Sequence, residues 1–109
     1  MVGVKKHNDM GYDKRLEDSM AVCWAASQGD VHELQRLYAS GVDLSAADYD
    51  GRTGIHLAAS EGHLEAIKFL IAKGMEVNPK DRFGGTPLVD AKRGNFKKVI
   101  EFLRQHHAK

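Results

Sequence analysis

A 33-residue internal repeat is the feature of this sequence that most restricts how the chain can fold. Three separate landmarks recur at or near this interval. They are Asp48 with Asp81, Gly41 with Gly74, and Gly29 with Gly62 and then Gly94. The first two pairs have the full interval, and so does the first step of the glycine triplet, whereas its second step is shorter by one position. A chain with this period folds as a stack of like units, because each unit buries its apolar face only against its neighbours.

Residues typical of tight turns and of helix ends recur at fixed positions in the repeat. Gly51 and Gly84 follow an aspartate by three residues and are free to adopt the positive φ that such turns need. Thr53 is placed to cap the helix that follows, and we expect Gly62 and Gly94 to end the first helices of their units. Each unit therefore reads as turn, helix, glycine break and second helix.

The second helix of each unit carries apolar residues at helical spacing. These residues are Val31, Leu34, Leu37 and Tyr38, then Leu64, Ile67, Leu70 and Ile71, then Phe96, Val99, Phe102 and Leu103. A chain of 109 residues suits one domain. The sequence predicts an all-α solenoid of about three helix-turn-helix units with short β-turn tips. We expect the units at residues 19–47, 48–80 and 81–107, preceded by a partly disordered linker over residues 1–18.

The middle unit resembles the ankyrin repeat. The matching positions are Asp48, Gly51, Thr53, His56, Ala58, Ala59, Gly62, His63, Gly74, Val77 and Asn78. The unit departs from the family at Gly54, where the family prefers Pro. The third unit keeps Thr86-Pro87-Leu88 but continues with Val89. The resemblance implies that His56 hydrogen-bonds local backbone and ties adjacent turns.

A narrower resemblance covers most of the chain. Residues 25–30, 48–53, 61–70 and 77–87 look like the C-terminal ankyrin region of kidney-type glutaminases, and the leader with His7, Asn8, Tyr12 and Asp13 looks like the segment before it. Integrin-linked kinase and some asparaginases carry similar repeats. The glutaminase resemblance implies a parent that hydrolyses L-glutamine to L-glutamate and ammonia. It also implies a parent that is oligomeric and, in animals, mitochondrial.

The residues themselves give no catalytic, cofactor or metal site. The glutaminase resemblance implies a catalytic serine with a lysine three residues on, and no serine here has one. The histidines are scattered, which does not suit a metal, and Cys23 is expected to be a small core residue. A net charge of +1 gives no pull toward nucleic acid or membrane. A single cysteine suits an intracellular compartment, which would be mitochondrial for an animal glutaminase and cytoplasmic otherwise.

The ankyrin resemblance implies that protein partners bind at the turn tips and the exposed side of the first helices. The tip positions here are Tyr49, Asp50, Arg52, Arg82 and Phe83, and the helix positions are Ser27, Gln28, Ser60, Glu61, Lys92 and Arg93. An aromatic residue and an arginine in each tip are typical of interface hot spots. Two alternatives stay open: the tip aromatics fold back over their turns, and the basic residues of the last unit form only a solvated face.

The sequence therefore predicts a non-catalytic module that binds a protein partner, a second copy or the catalytic domain of its own parent chain. The alternative is an ankyrin module of an unrelated scaffold, kinase or asparaginase-type protein.

Overall fold

The computed structural model describes residues 13–109, and within that range the regular secondary structure is six α-helices. The helices are α1 Lys14–Ser27, α2 Val31–Ala39, α3 Gly54–Ser60, α4 Leu64–Ala72, α5 Pro87–Arg93 and α6 Lys97–Gln105. Each unit supplies one first helix (α1, α3 or α5) and one second helix (α2, α4 or α6). The helices form an all-α stack, as predicted. His7, Asn8 and Tyr12 of the leader lie outside the described residues.

The first helix of the stack begins at Lys14, ahead of the boundary expected near residue 19. Its N-cap is Asp13, whose side chain accepts the Arg15 N–H at 2.9 Å. Asp18 is buried and accepts the Asp43 N–H at 3.1 Å and the Lys14 ammonium at 3.0 Å. Burial alone would raise the pKa of Asp18, but these two donors hold it below its usual value. The first unit thus uses added helical turns where the others use a β-turn.

The left-handed backbone positions show that the same period runs through every unit. Positive φ occurs at Gly29, Gly62 and Asn95, and again at Gly41, Gly74 and His107. Gly94 ends the first helix of the third unit, as predicted: it is the C-cap of α5 with a φ of −86°, and the left-handed turn that follows falls on Asn95. Asparagine tolerates this conformation better than most residues that carry a side chain.

The core lies between successive first helices and under the second helices. Ala25, Ala58 and Ala91 occupy equivalent positions on α1, α3 and α5, and each is at most 1% exposed. Small side chains there let the first helices pack closely. The apolar faces of α2, α4 and α6 close the core, as predicted, although Tyr38 is about half exposed.

Gly54 departs from the family pattern for a steric reason. It is the first residue of α3 and is buried. A Cβ added there would lie 2.9 Å from Cγ1 of Val22 on α1. The glycine therefore leaves space for a β-branched neighbour that cannot easily turn away.

His56 ties the second unit to the third, as the ankyrin resemblance implied. The ring is fully buried, and Nδ1 accepts the Thr53 N–H at 3.1 Å. Because Nδ1 accepts, Nε2 carries the proton, and it donates to the Gly85 carbonyl at 2.9 Å. One neutral imidazole therefore caps its own helix and holds the next turn.

A second tie joins each second helix to the unit before it. The His63 ring lies over Gly29, where a Cβ would be 2.6 Å from Nδ1, and Nε2 donates to the Ser27 carbonyl at 3.0 Å. Phe96 lies over Gly62 in the same way, with a separation of 2.6 Å from Cδ1 to an added Cβ. The glycine of one unit thus makes room for the ring of the next.

Candidate functional site

The two turn tips have the same backbone construction. In the first, Gly51 N–H donates to the Asp48 carbonyl at 2.9 Å, and Asp48 N–H donates to the Arg52 carbonyl at 3.0 Å. One carboxylate oxygen of Asp48 also accepts the N–H groups of Asp50 and Arg52. Asp81 plays the same part in the second tip, where the N–H groups of Gly85 and Phe83 hold its pKa below the usual range.

The tips are fastened to each other through Asp50 and Arg82. The Arg82 N–H donates to the Asp50 carbonyl at 2.7 Å, and the Arg82 guanidinium meets the Asp50 carboxylate at 3.1 Å. The same guanidinium lies 5.3 Å from the centre of the Phe83 ring. These contacts order Asp50 and Arg82 while leaving both side chains largely exposed.

Tyr49 and Phe83 project from this ordered platform into solvent. Their side chains are 85% and 81% exposed, so the alternative in which they fold back over the turns does not hold. Exposed aromatic side chains on a fixed backbone cost little entropy when a partner orders them. Each tip thus combines a hydrogen-bonded backbone with an exposed aromatic side chain.

Arg52 points away from the tip and toward the concave face, by which we mean the exposed side of the first helices α1, α3 and α5. Its side chain is only 29% exposed, its Nη2 lies 3.2 Å from the Asp90 carboxylate, and its buried Nε has no partner among the described residues. Arg93 reaches the same carboxylate at 2.9 Å, and Asp90 is 3% exposed. Two predicted contact residues therefore share one buried acid on α5.

The other predicted helix positions divide into two groups. Ser27 and Ser60 turn their hydroxyls back to carbonyls of their own helices, at 2.8 Å to Trp24 and 2.9 Å to Leu57. Gln28, Glu61 and Lys92 are exposed, and each immediately follows a half-buried or buried neighbour in the chain. Gln28, Glu61 and Lys92 are thus accessible to solvent, whereas the hydroxyls of Ser27 and Ser60 already donate to carbonyls at the ends of their own helices.

The structure adds an apolar groove that the sequence interpretation missed. Met20 and Trp24 on α1 are 65% and 68% exposed, and with Cys23, Ser27, Asp48 and Leu57 they line an open groove between α1 and α3. The 33-residue repeat could have predicted that Trp24 is exposed. Trp24 falls at the position of Leu57, which is on the exposed side of a first helix rather than in the core.

Cys23 lies in this groove as an inert thiol. Burial and the nearby charge of Asp48 raise its pKa to about 11, so the thiolate is scarce at neutral pH. Its Sγ–H donates to the Arg52 carbonyl at 3.6 Å. Cys23 is half-buried, and its chemistry is that of a packing residue.

Two further kinds of site are absent from residues 13–109. No group of three or more His, Cys, Asp or Glu side chains there is arranged to hold a metal ion. None of the helices in that range is long and apolar enough to cross a membrane.

Comparison with known proteins places the repeat pattern in a family. A family model of ankyrin repeats matches three copies over residues 22–109. The rat protein named glutaminase liver isoform, mitochondrial, is 42% identical over 98 residues, which is 89% of this chain and 16% of that protein. An L-asparaginase of Dirofilaria immitis is 43% identical over 83 residues, or 76% of this chain and 14% of that protein.

A third relative shares less of the chain. Integrin-linked protein kinase 1 of Arabidopsis thaliana is 37% identical over 49 residues, covering 45% of this chain and 10% of that protein. The chain therefore spans about a sixth or less of the length of these relatives. The resemblance to the ankyrin region of glutaminases is confirmed. Residues 13–109 form six helices in three repeating units, and the family model matches residues 22–109, so the chain belongs to the ankyrin-repeat family.

Proposed function

We propose that this chain is the non-catalytic docking module of a larger enzyme of the glutaminase class, one that hydrolyses L-glutamine to L-glutamate and ammonia. Ankyrin repeats are non-catalytic protein-interaction modules, and 89% of the chain aligns with a named glutaminase. The alternative parents are an asparaginase, a kinase or a scaffold. Glutaminase is favoured because its alignment covers more of the chain than that of the asparaginase or the integrin-linked kinase.

The names of the rat and mouse glutaminases include the word mitochondrial. By that likeness we place the parent in mitochondria if it is an animal glutaminase, and in the cytoplasm otherwise. The test is the mass of the native protein that contains tryptic peptides of this chain, together with its cell fraction. A native protein several times the length of this chain in the mitochondrial fraction supports this placement. A native protein of 109 residues argues against a parent enzyme.

The observation that carries the docking function is the pair of exposed aromatic side chains, Tyr49 and Phe83, on tips joined by the Asp50–Arg82 ion pair. Hot spots are rich in Tyr and Arg, and order in the free protein lowers the cost of binding. The partner is a second copy, the catalytic domain of the parent or another protein. The other predicted contacts, Ser27, Gln28, Ser60, Glu61, Lys92 and Arg93, remain predictions within this function.

Light scattering over a wide concentration range separates these partners. The molar mass is measured for the wild type and for Tyr49→Ala/Phe83→Ala. A wild-type dimer that the double variant loses assigns self-association to the tips. A monomer at every concentration excludes self-association of this chain and directs the search to the parent or another protein.

Ammonia release tests the non-catalytic part of the proposal. The chain is incubated with L-glutamine and, separately, with L-asparagine. We expect no ammonia above a blank without protein. Release that scales with chain concentration and survives repurification would contradict a purely docking role.

A further inference from the structure

We propose that the concave face binds an extended peptide segment that carries an apolar side chain at one end and acidic side chains about six residues away. This inference rests on the docking function and adds the chemistry of the partner. It comes from three equivalent positions on the first helices, Trp24, Leu57 and Asp90, which are separated by one repeat each and so form one row across the concave face.

The first end of the row is apolar. Trp24 and Met20 are more than half exposed, and Leu57 and Cys23 form the half-buried floor between α1 and α3. Asp48, which also lines this groove, accepts two N–H groups of its own turn. An aliphatic or aromatic side chain placed there would cover apolar surface that is now in contact with water.

The other end of the row is cationic. Asp90 forms ion pairs with two guanidinium groups, those of Arg52 and Arg93, so one negative charge is paired with two positive charges. Arg93 is 67% exposed, and Lys92 beside it is exposed as well. Guanidinium groups that are already oriented by a buried acid have less entropy to lose when they bind a second carboxylate.

Charge complementarity points to an acidic occupant at this end. Residues 13–47 carry six acidic and three basic side chains, whereas residues 81–109 carry three acidic and seven basic ones. Of those seven, Lys92 and Arg93 lie on α5 beside the row, whereas Lys97, Lys98 and Arg104 lie on α6 and do not contribute to it. Of the three acids in the last unit, Asp81 is held by the N–H groups of its turn and Asp90 is buried. Glu101 is exposed on α6, a second helix on the opposite side of the unit from the row.

The length of the occupant follows from helix packing. Neighbouring helices lie roughly 8–10 Å apart, so two spacings from α1 to α5 amount to about 16–20 Å. An extended chain covers about 3.3 Å per residue, so the first acid lies about five or six positions along the chain from the apolar anchor, with about four or five residues between them.

Trp24 is the only tryptophan of the chain, so its fluorescence reports directly on the groove. The probe is a blocked peptide with one leucine, five Gly and Ser spacer residues and two aspartates. Matched peptides have spacers of two or eight residues, or two asparagines in place of the aspartates. We expect a saturable change in Trp24 emission, with the five-residue spacer binding at least threefold more tightly than the other two spacers.

Variants locate the acid-binding end. Arg93→Ala should weaken binding of the five-spacer peptide about tenfold, because a hydrogen bond to a charged group is lost. Arg93→Lys keeps the charge and should recover part of that loss. Arg104→Ala on α6 is the matched control and should change the affinity less than twofold. Circular dichroism of each variant shows that the fold is retained.

Several results would overturn the proposal. They are an asparagine peptide that binds as tightly as the aspartate peptide, an equal loss in Arg104→Ala, or no emission change with any peptide. An emission change that follows protein concentration without peptide would assign the groove to a second copy instead. If the peptide fails but a native partner still crosslinks to the concave face, the docking function stands and only the partner chemistry falls.

Discussion

The middle and third units have the same order of turn and helices but differ in the side chains that contact neighbouring units. In the middle unit His56 is buried and reaches forward to Gly85, while His63 reaches back to Ser27. The third unit has Val89 and Phe96 at these two positions, and Val89 is partly exposed. The Val89 side chain thus has no polar atom that could hold a neighbouring turn, whereas Phe96 still packs over Gly62 of the middle unit.

This difference separates stability from recognition along the stack. The middle unit directs His56 and His63 to backbone carbonyls of its neighbours, and the third unit exposes Lys92 and Arg93 to solvent. The exposed residues Tyr49, Phe83 and Arg82 of the tips and Trp24 and Arg93 of the first helices lie outside the core cluster.

Exchanging the side chains at the equivalent positions 56 and 89 should have the largest effect on stability. His56→Val leaves the Gly85 carbonyl and the Thr53 N–H without their partner, which should lower the free energy of unfolding by about 2–4 kcal/mol. The reciprocal Val89→His places a polar ring at a partly exposed site and should change it by about 0.5 kcal/mol or less. Urea titration of both variants measures the two effects. Equal losses would mean that the units are not specialised in this way.

Gly62→Ala should break the contact between the middle and third units. Alanine would have to adopt the positive φ of Gly62, which destabilises the folded state by about 1–2 kcal/mol for a residue with a side chain. Its Cβ would also lie 2.6 Å from the Phe96 ring. Gly74→Ala is the matched control, because its φ is also positive and nothing lies within 4 Å of an added Cβ. In urea titration Gly62→Ala should be the less stable of the two. If the two variants have equal stability, Phe96 does not pack against Gly62 as described.

Asn95→Gly should act in the opposite direction to Gly62→Ala. Asn95 holds a φ of 59° that glycine adopts without strain. The variant should gain up to about 1 kcal/mol in the free energy of unfolding. Gly94→Ala is an independent test of which residue makes the left-handed turn. Because Gly94 has a helical φ of −86°, an added Cβ would meet the Phe96 ring but would not strain the backbone. A loss of stability in Asn95→Gly would place the left-handed turn elsewhere.

Asp81 should give the third unit a measurable acid dependence. Its pKa is depressed by the N–H groups of Gly85 and Phe83, so its contribution is present above the ordinary carboxyl range of about pH 4 and is lost as pH falls through the lowered value. Asp81→Asn keeps an acceptor oxygen for the turn and should show a shallower loss of stability on acidification. The measurement is urea unfolding at several pH values between about 2 and 6. Parallel curves for the two proteins would contradict the assignment.

The tip aromatics should have the smallest effect on stability. Tyr49→Ala/Phe83→Ala removes two side chains that are almost wholly in water, and the free energy of unfolding should change by about 0.5 kcal/mol or less. A thermal melt of the same double variant used for light scattering checks this. A large drop in melting temperature would show that the aromatics pack in the fold, and the variant could then no longer report on binding alone.

The sequence predicted the repeat, the helix faces and the His56 tie because each depends on residues at fixed intervals. It also predicted that Gly94 ends the first helix of the third unit, which it does as the C-cap, but it did not show that the left-handed turn falls on Asn95. It also missed the Arg52–Asp90–Arg93 cluster and the exposure of Trp24. Those depend on which way a long side chain turns between units, and no local pattern encodes that choice.

The most direct test of the docking function is site-resolved photocrosslinking of the native protein in extract of its source. A benzophenone amino acid replaces Tyr49 on a tip, Trp24 on the concave face or Tyr38 on the second-helix side, one at a time. We expect the same crosslinked product from positions 49 and 24 and none from 38. Crosslinking from 38 alone, or equally from all three positions, would contradict docking through the tips and concave face.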